Sequence, residues 1–504
     1  MADQSPVIIL LAPFIGAVLI GFLAFTGGRL IPSVAVVSLG VAVAASIATL
    51  VQFAEFGEII YLLGNWPRPF GIEYRVDGLS ALVVTMITVV ALITALYSRT
   101  AVYHETPDKV PYFYILFLLL VTGLVGITLT GDAFNLYVLL EVSSLTSYAL
   151  IAMGPGRAVF AAFKYVIMGT IGASFYLLGV GYLYIRTGSL NMVDIREQIV
   201  ALNLYGSESI LVAFMLIMVG VWIKMAFFPL HGWLPNAYSH APTTSGCILA
   251  PLVTKVTIYI MIRAMMTIFG VDFVFTQLEW SGIITWMSVV CIIAGSVLAL
   301  AQTDLRRTLS YLIVAEVGYM VGGVWLANHT GMVGAIYHIL SDAFMTLCLF
   351  LAAGIIFSRY GHCRIKDMQG LFRKMPYTMA GFSVGALAII GVPPTCGFFS
   401  KWYLIQGGME AGHFGFVFAL IFSSLASAII FFRVIEVAWF EPFSEPGHEH
   451  QKSESPLIRE APISQLVSLY LAGATIVLIG IFNQDLIAII SESVRGFGLL
   501  AASG

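Results

Sequence analysis

Nine ionisable residues lie inside otherwise apolar segments of this chain, and eight of them form two matching sets. Glu141, Lys164, Lys224 and Lys255 correspond to Glu316, His338, Lys401 and Arg433, with offsets of 175, 174, 177 and 178 residues; the ninth is Asp342. A charge at the bilayer centre costs about 2.5 to 3.5 kcal/mol even on the lenient insertion scale, so a duplicated set needs a use. The use these residue types offer is carrying ions, protons above all. Burial favours the neutral forms of lysine and carboxylate, whereas proximity of the two favours the charged forms. A buried pair is therefore a switch, and Glu141 with Lys224 is the leading pair. Lys255 is the natural next carrier, and Lys401 the gate in the second half.

The remaining charges have alternative readings. Lys164 opens its span and can either join the path or snorkel to the interface. His338 suits proton relay or simple packing, and Glu316 can relay or pair for stability. Asp342 follows His338 by four residues on one helix face, so the two can share a proton or fix each other's geometry. Arg433 stays charged and can act only as a fixed counter-charge or as a snorkelling end residue. His231 is a further auxiliary candidate. Asp77, Asp132 and the group Asp304, Arg306 and Arg307 fall at span edges, where solvated caps and topology anchors are expected. The run Gly447-His-Glu-His450 could bind a metal, but loop histidines are usually solvated.

The elements that must position these groups are membrane spans. The chain has 504 residues, 59% of them apolar and 10% charged, with a mean hydropathy of +0.95, which describes a polytopic membrane protein. Spans of about 20 residues begin near Pro6, Ile31, Asp77, Pro111, Asp132, Phe163, Ile210, Pro242, Gly282, Thr308, Gly331, Tyr377, Phe414 and Ser464. The fold expected is all-α, a single membrane domain over 1–504 with fourteen helices. The first span has no basic residue ahead of it and is not read as a signal peptide. With the N-terminus outside, thirteen loop Lys and Arg fall on the cytoplasmic side and six on the other, so both termini are expected outside.

Two segments interrupt their own helices with proline, Trp222 to Pro235 and Gly391 to Lys401, and each carries a lysine. Paired interruptions in two halves point to a transport site. Five spans over 111–270 and five over 282–440 would form inverted repeats, each supplying half a channel. The five cysteines are dispersed without a CxxC spacing, so neither a cluster nor a zinc site is suggested. No Gly-rich phosphate loop is present. No cofactor, metal or nucleic acid is expected.

Several motifs together resemble the antiporter-like subunits of respiratory complex I and the Mrp cation/proton antiporters. They are Val76-Asp-Gly-Leu-Ser80, Gly131 to Glu141, His231-Gly-Trp-Leu-Pro235 running into His240-Ala-Pro and Lys255, Gln302 to Tyr311, Val317-Gly-Tyr-Met320, and Gly391-Val-Pro-Pro394 through Lys401. The resemblance implies fourteen helices with two inverted five-helix repeats and two discontinuous helices. It also implies a proton path over Glu141, Lys164, Lys224, Lys255, His338 and Lys401. Lys401, where others carry glutamate, is similar to the D-type subunit of the Mrp antiporters; stopping at Gly504 soon after its fourteenth span, the chain is expected to lack the long lateral helix and extra spans of the largest members. A secondary-transporter subunit in a bacterial cell membrane follows, exchanging protons for sodium with other complex subunits as partners. Membership of a complex I-like or hydrogenase redox complex, or energising inorganic carbon uptake, are the alternatives. Asp342 and Thr346 stand where the family usually has His and Lys, and Glu316 is likewise unusual. A fixed acid there could favour a hydrated cation as readily as a proton.

Overall fold

The computed structural model describes residues 4–26, 28, 30–440 and 460–499; the Gly447 to His450 run lies outside these, as do Arg29, Lys452 and Arg459 of the charge count. Apolar runs form α1 (Ser5–Leu23) and α2 (Ile31–Phe56), followed by a hairpin of β1 (Ile59–Leu62) and β2 (Glu73–Val76). The strands are antiparallel, with Ile59 opposite Val76 and Leu62 opposite Glu73. Next come α3 (Gly78–Glu105), α4 (Val110–Leu129), α5 (Ala133–Ala152), α6 (Ala158–Thr187), α7 (Met192–Ala201), α8 (Glu208–Lys224), α9 (Leu234–His240) and α10 (Thr243–Arg263). The second half contains α11 (Ser281–Leu300), α12 (Leu305–Trp325), α13 (His329–Tyr360), the short α14 (Leu371–Lys374), α15 (Pro376–Ile390), α16 (Cys396–Glu410) and α17 (Phe414–Phe440). Helices α18 (Ile463–Ile481) and α19 (Asn483–Gly496) close the chain.

Among the described residues, twelve helices are long and apolar enough to cross a membrane. The other two spans expected from sequence are the interrupted ones, α8 with α9 and α15 with α16. The span starts follow capping chemistry. Asp77, Asp132 and Asp304 accept hydrogen bonds from the amides of Ser80, Asn135 and Arg307, satisfying donors that a helix start leaves free. Sequence hydropathy missed three elements: the hairpin and the lateral helices α7 and α19. Helix α7 is capped by Asn191 and buries Met192, Ile195 and Ile199, one face of a short amphipathic helix.

The innermost helix is α13, buried along its whole apolar window, with α10 and α12 nearly so. All three pack against one another, and together they carry Lys255, Glu316, His338 and Asp342. Helices α6 and α8 approach closely because Gly172 and Gly220 face each other, and a side chain on either would strike the other's backbone. The second break begins at Gly391, which caps α15 in the left-handed conformation with φ 94°. Gly480 of α18 presses against the Pro394–Thr395 backbone of that break, leaving no room for a β-carbon.

Candidate functional site

Lys224 is the last residue of α8, so its side chain starts where the helix ladder stops. Its Nζ lies 3.4 Å from Glu141 Oε1 and donates to Ser144 Oγ at 2.6 Å. The lysine side chain is 4% exposed and that of Glu141 25%. Across the break, Trp233 Nε1 donates to the Ile223 carbonyl at 2.9 Å, next to Lys224. Beside Lys224 is a cavity of about 10 Å³, lined by Ser143, Ser144, Ser147 and Tyr165 on one side and Thr257 of α10 on the other. A single water needs about 10–15 Å³ and two to four polar partners.

Lys255 on α10 meets Asp342 on α13 at 2.7 Å, both side chains having no exposure. Thr346, one turn beyond Asp342, donates to its Oδ1 at 2.7 Å and accepts from Lys255 at 3.5 Å. A full ion pair with an internal hydroxyl bridge therefore occupies the centre of the protein. His338 is drawn away from Asp342: its Nε2 lies 2.5 Å from Glu316 Oε2 of α12, and its Nδ1 lies 2.9 Å from Ser400 Oγ. The Ser400 hydroxyl donates to Gly397 O, so its oxygen accepts from His338 Nδ1–H, and Nε2 faces the carboxylate. Two acceptor atoms 2.5 Å apart need a proton between them.

Lys401 begins beyond the second break, on α16. It donates to the Ile389 and Ile390 carbonyls that end α15, at 2.5 and 3.5 Å, and to Ser424 at 2.9 Å, with the Tyr319 ring 5.3 Å away. Among the described residues it forms no ion pair; helix-end carbonyls take that role.

Seven of the nine sequence candidates thus form a row of three close pairs and one carbonyl-held lysine, Glu141 with Lys224, Lys255 with Asp342, Glu316 with His338, and Lys401, buried except at Glu141. Two do not join it. Lys164 is exposed and stacks over the Phe160 ring at 4.7 Å. Helix α6 starts at Ala158, not near Phe163, and its buried face runs through Ala161, Tyr165, Gly169 and Gly172. Lys164 falls one residue out of that phase, on the stripe of Phe160, Phe163, Ile167 and Ile171. Arg433 is likewise exposed on α17. His231 lies in the first break, its ring stacked on Phe228, without a hydrogen bond to the row. Arg306 is no surface anchor: it is buried and donates to the Tyr238 and Ala241 carbonyls at the end of α9. Glu105 caps the start of α10 through Thr243 and Thr244.

Sequence reasoning missed the hydroxyl partners Ser144, Ser400 and Ser424; Thr346 was noticed as a departure from the family pattern, but not as the partner of Asp342 one turn before it. It also missed the Asp77–Arg263 pair, which forms one wall of a cleft of about 420 Å³. Burial pushes the Asp77 carboxyl up, but the Arg263 guanidinium and hydrogen bonds from Arg263 and Ser80 bring it below the ordinary carboxylate value. All five cysteines are free and buried, and the described residues hold no cluster of three or more metal-ligating side chains.

Residues 130–427, which include the whole row, match the family described as NADH:quinone oxidoreductase/Mrp antiporter, TM. The chain belongs to this family. Within the NADH:quinone oxidoreductase/Mrp antiporter family it is 42% identical over 432 residues to the N subunit of NADH-quinone oxidoreductase from Desulforudis audaxviator, covering 85% of each chain. It is 30% identical over 409 residues to the D subunit of the Na(+)/H(+) antiporter from Bacillus subtilis, covering 81% of each. Among solved structures, a chain of the membrane-bound sulfane sulfur reductase, an archaeal respiratory membrane complex, superposes with a TM-score of 0.89 at 28% identity over 98% of both chains. The protein is thus a multi-pass, antiporter-like membrane subunit of the family. Identity to the quinone-oxidoreductase relative exceeds that to the antiporter relative, so the sodium exchange expected from Lys401 does not follow from membership.

Proposed function

We propose that this protein is the proton-translocating subunit of a multisubunit membrane complex, and that protons move along the row from Glu141 through Lys224, Lys255, Asp342, Glu316 and His338 to Lys401. The observation that carries this reading is the row itself: three acid–base pairs and a fourth cation, centred on the three innermost helices and running between two broken helices. Proteins keep such charges at membrane depth where they relay protons or ions. The two stretches 111–270 and 282–440 act as inverted repeats, each with one broken helix, and their join falls at Lys255 and Asp342. Lys164, on the exposed face of α6, stands outside this path. The complex sits in a bacterial cell membrane with both termini outside, and it exchanges sodium for protons in support of pH homeostasis.

The identity to the quinone-oxidoreductase relative favours a second reading, in which a redox reaction in partner subunits drives the same proton path. One experiment separates the two. Inverted vesicles from an antiporter-deficient host carrying the whole gene cluster are followed with a pH-gradient dye. Collapse of a respiration-driven gradient by sodium but not choline, lost in Glu141→Ala and Lys224→Ala, supports antiport. Indifference to every cation, with a gradient built by the complex's own electron donor, supports the redox pump. An assembled complex that moves protons under neither condition excludes both.

A further inference from the structure

Between the central pair and the second-half pair lies a second cavity of about 10 Å³, lined by Glu316 of α12, Asp342 and Thr346 of α13, and otherwise by apolar side chains including Leu312, Ile313 and Ile389. Each carboxylate has its basic partner outside this cavity: Asp342 has Lys255, and Glu316 has His338. The Thr346 hydroxyl is already spent on Asp342. The polar atoms facing the cavity are therefore acceptors, and the occupant they fit is a small donor of hydrogen bonds.

We propose that this cavity holds one water molecule or hydronium ion bridging Asp342 and Glu316, and that this carboxylate–water–carboxylate joint is the crossing between the two halves; the proposal rests on the proton-path reading. Size and chemistry both select the occupant. The volume admits one water, whereas a sodium ion wants several hard oxygen ligands, and an otherwise apolar lining does not supply them. The two acids thus act together, and they select protons over a hydrated metal cation.

The transfer balances atom by atom. The Lys255 ammonium gives one proton to Asp342 and becomes the amine; Asp342 gives it to the water as the water gives one of its own to Glu316. Glu316 and His338, already sharing one proton, then both carry one, and the Nδ1–H of His338 faces Ser400 beside Lys401. One proton has moved, each broken O–H or N–H bond is replaced by a new one, and Lys255 is ready to be reloaded from Lys224.

The test uses the intact complex in inverted vesicles. Asp342→Asn and Glu316→Gln should each slow proton movement on the order of 100-fold, the scale of losing one positioned proton-transfer group. Leu312→Phe, which fills the cavity while leaving both carboxylates in place, should do the same. Infrared difference spectra of the wild-type complex on acidification should show a protonated-carboxyl band that shifts in D2O and is absent from Glu316→Gln, where the proton comes to rest. Wild-type transport with wild-type rates in Leu312→Phe, or with no such band, overturns the joint while leaving the proton path standing. Absence of proton transport in the wild-type complex instead overturns the underlying reading.

Discussion

Lys224 ends the helix before its break and points at a carboxylate that is 25% exposed; Lys401 starts beyond its break and is held by the carbonyl ends of α15 and a serine hydroxyl. The first lysine is balanced by a full charge that reaches the protein's surface. The second is balanced by dipoles in a sealed pocket. A neighbouring subunit or a water can therefore act on Glu141 directly and shift the hold on Lys224, whereas Lys401 responds only to movements of the second break. Between them, Lys255 and Asp342 have no surface access, and beyond each other and Thr346 the lysine reaches only the Ala250 carbonyl, at 3.3 Å.

This ordering predicts how each lysine tolerates removal, measured as thermal unfolding of the solubilised complex. Lys255→Met should cost about 3–5 kcal/mol, because Asp342 is left as an uncompensated buried charge. The double change Lys255→Met with Asp342→Leu should recover most of that stability without restoring proton movement. A single variant as stable as the wild type would mean that Asp342 finds another partner and that the centre is not sealed. Lys401→Met should cost roughly 1–3 kcal/mol through helix-end carbonyls left unsatisfied, and Lys224→Met less than this, since Glu141 can reach solvent or a partner. A larger loss at Lys224 than at Lys401 would reverse the comparison.

A smaller effect is expected at the α3 start, away from both breaks. The Asp77 carboxyl is held below its ordinary value by Arg263 and Ser80, so its contribution is fully present above the unfolded carboxylate value. It is lost as pH falls through the lower folded one. Asp77→Asn should remove about 1 kcal/mol at neutral pH and flatten the decline of stability on the acid side; an unchanged acid limb would assign that decline to other carboxylates. Smallest of all, Lys164→Gln should change stability by less than about 1 kcal/mol, the worth of an exposed cation–ring contact. A loss as large as that at Lys224 would place Lys164 on the buried row after all.

Hydropathy was enough to find the twelve uninterrupted spans, though not every starting residue, because lipid demands about 20 apolar residues whatever the neighbours are. The two breaks were legible through proline, and the Asp77, Asp132 and Asp304 caps through their positions at span edges. Facing was harder to read. Helix α6 is apolar on all sides, so no amphipathic stripe says that Lys164 looks outward; one residue of phase turns a side chain by about 100°. Partner choice was harder still. Asp342 pairs with Lys255, 87 residues away on another helix, and not with His338 one turn back, whose ring nitrogens are taken by Glu316 of α12 and Ser400 of α16. The hairpin, α7 and α19 escaped because short lateral elements carry too little apolar length to register against the spans.

Helix α18 lies outside both stretches that carry the row, yet its Gly480 leaves no gap against Pro394 and Thr395. That contact makes a single hydrogen atom at position 480 the gauge of how far the second break can protrude. Any related sequence with a larger residue there must either retract the proline turn, moving the carbonyls that cradle Lys401, or tilt its penultimate helix aside. One letter far from every charge thus reports whether a relative holds its second lysine as this protein does.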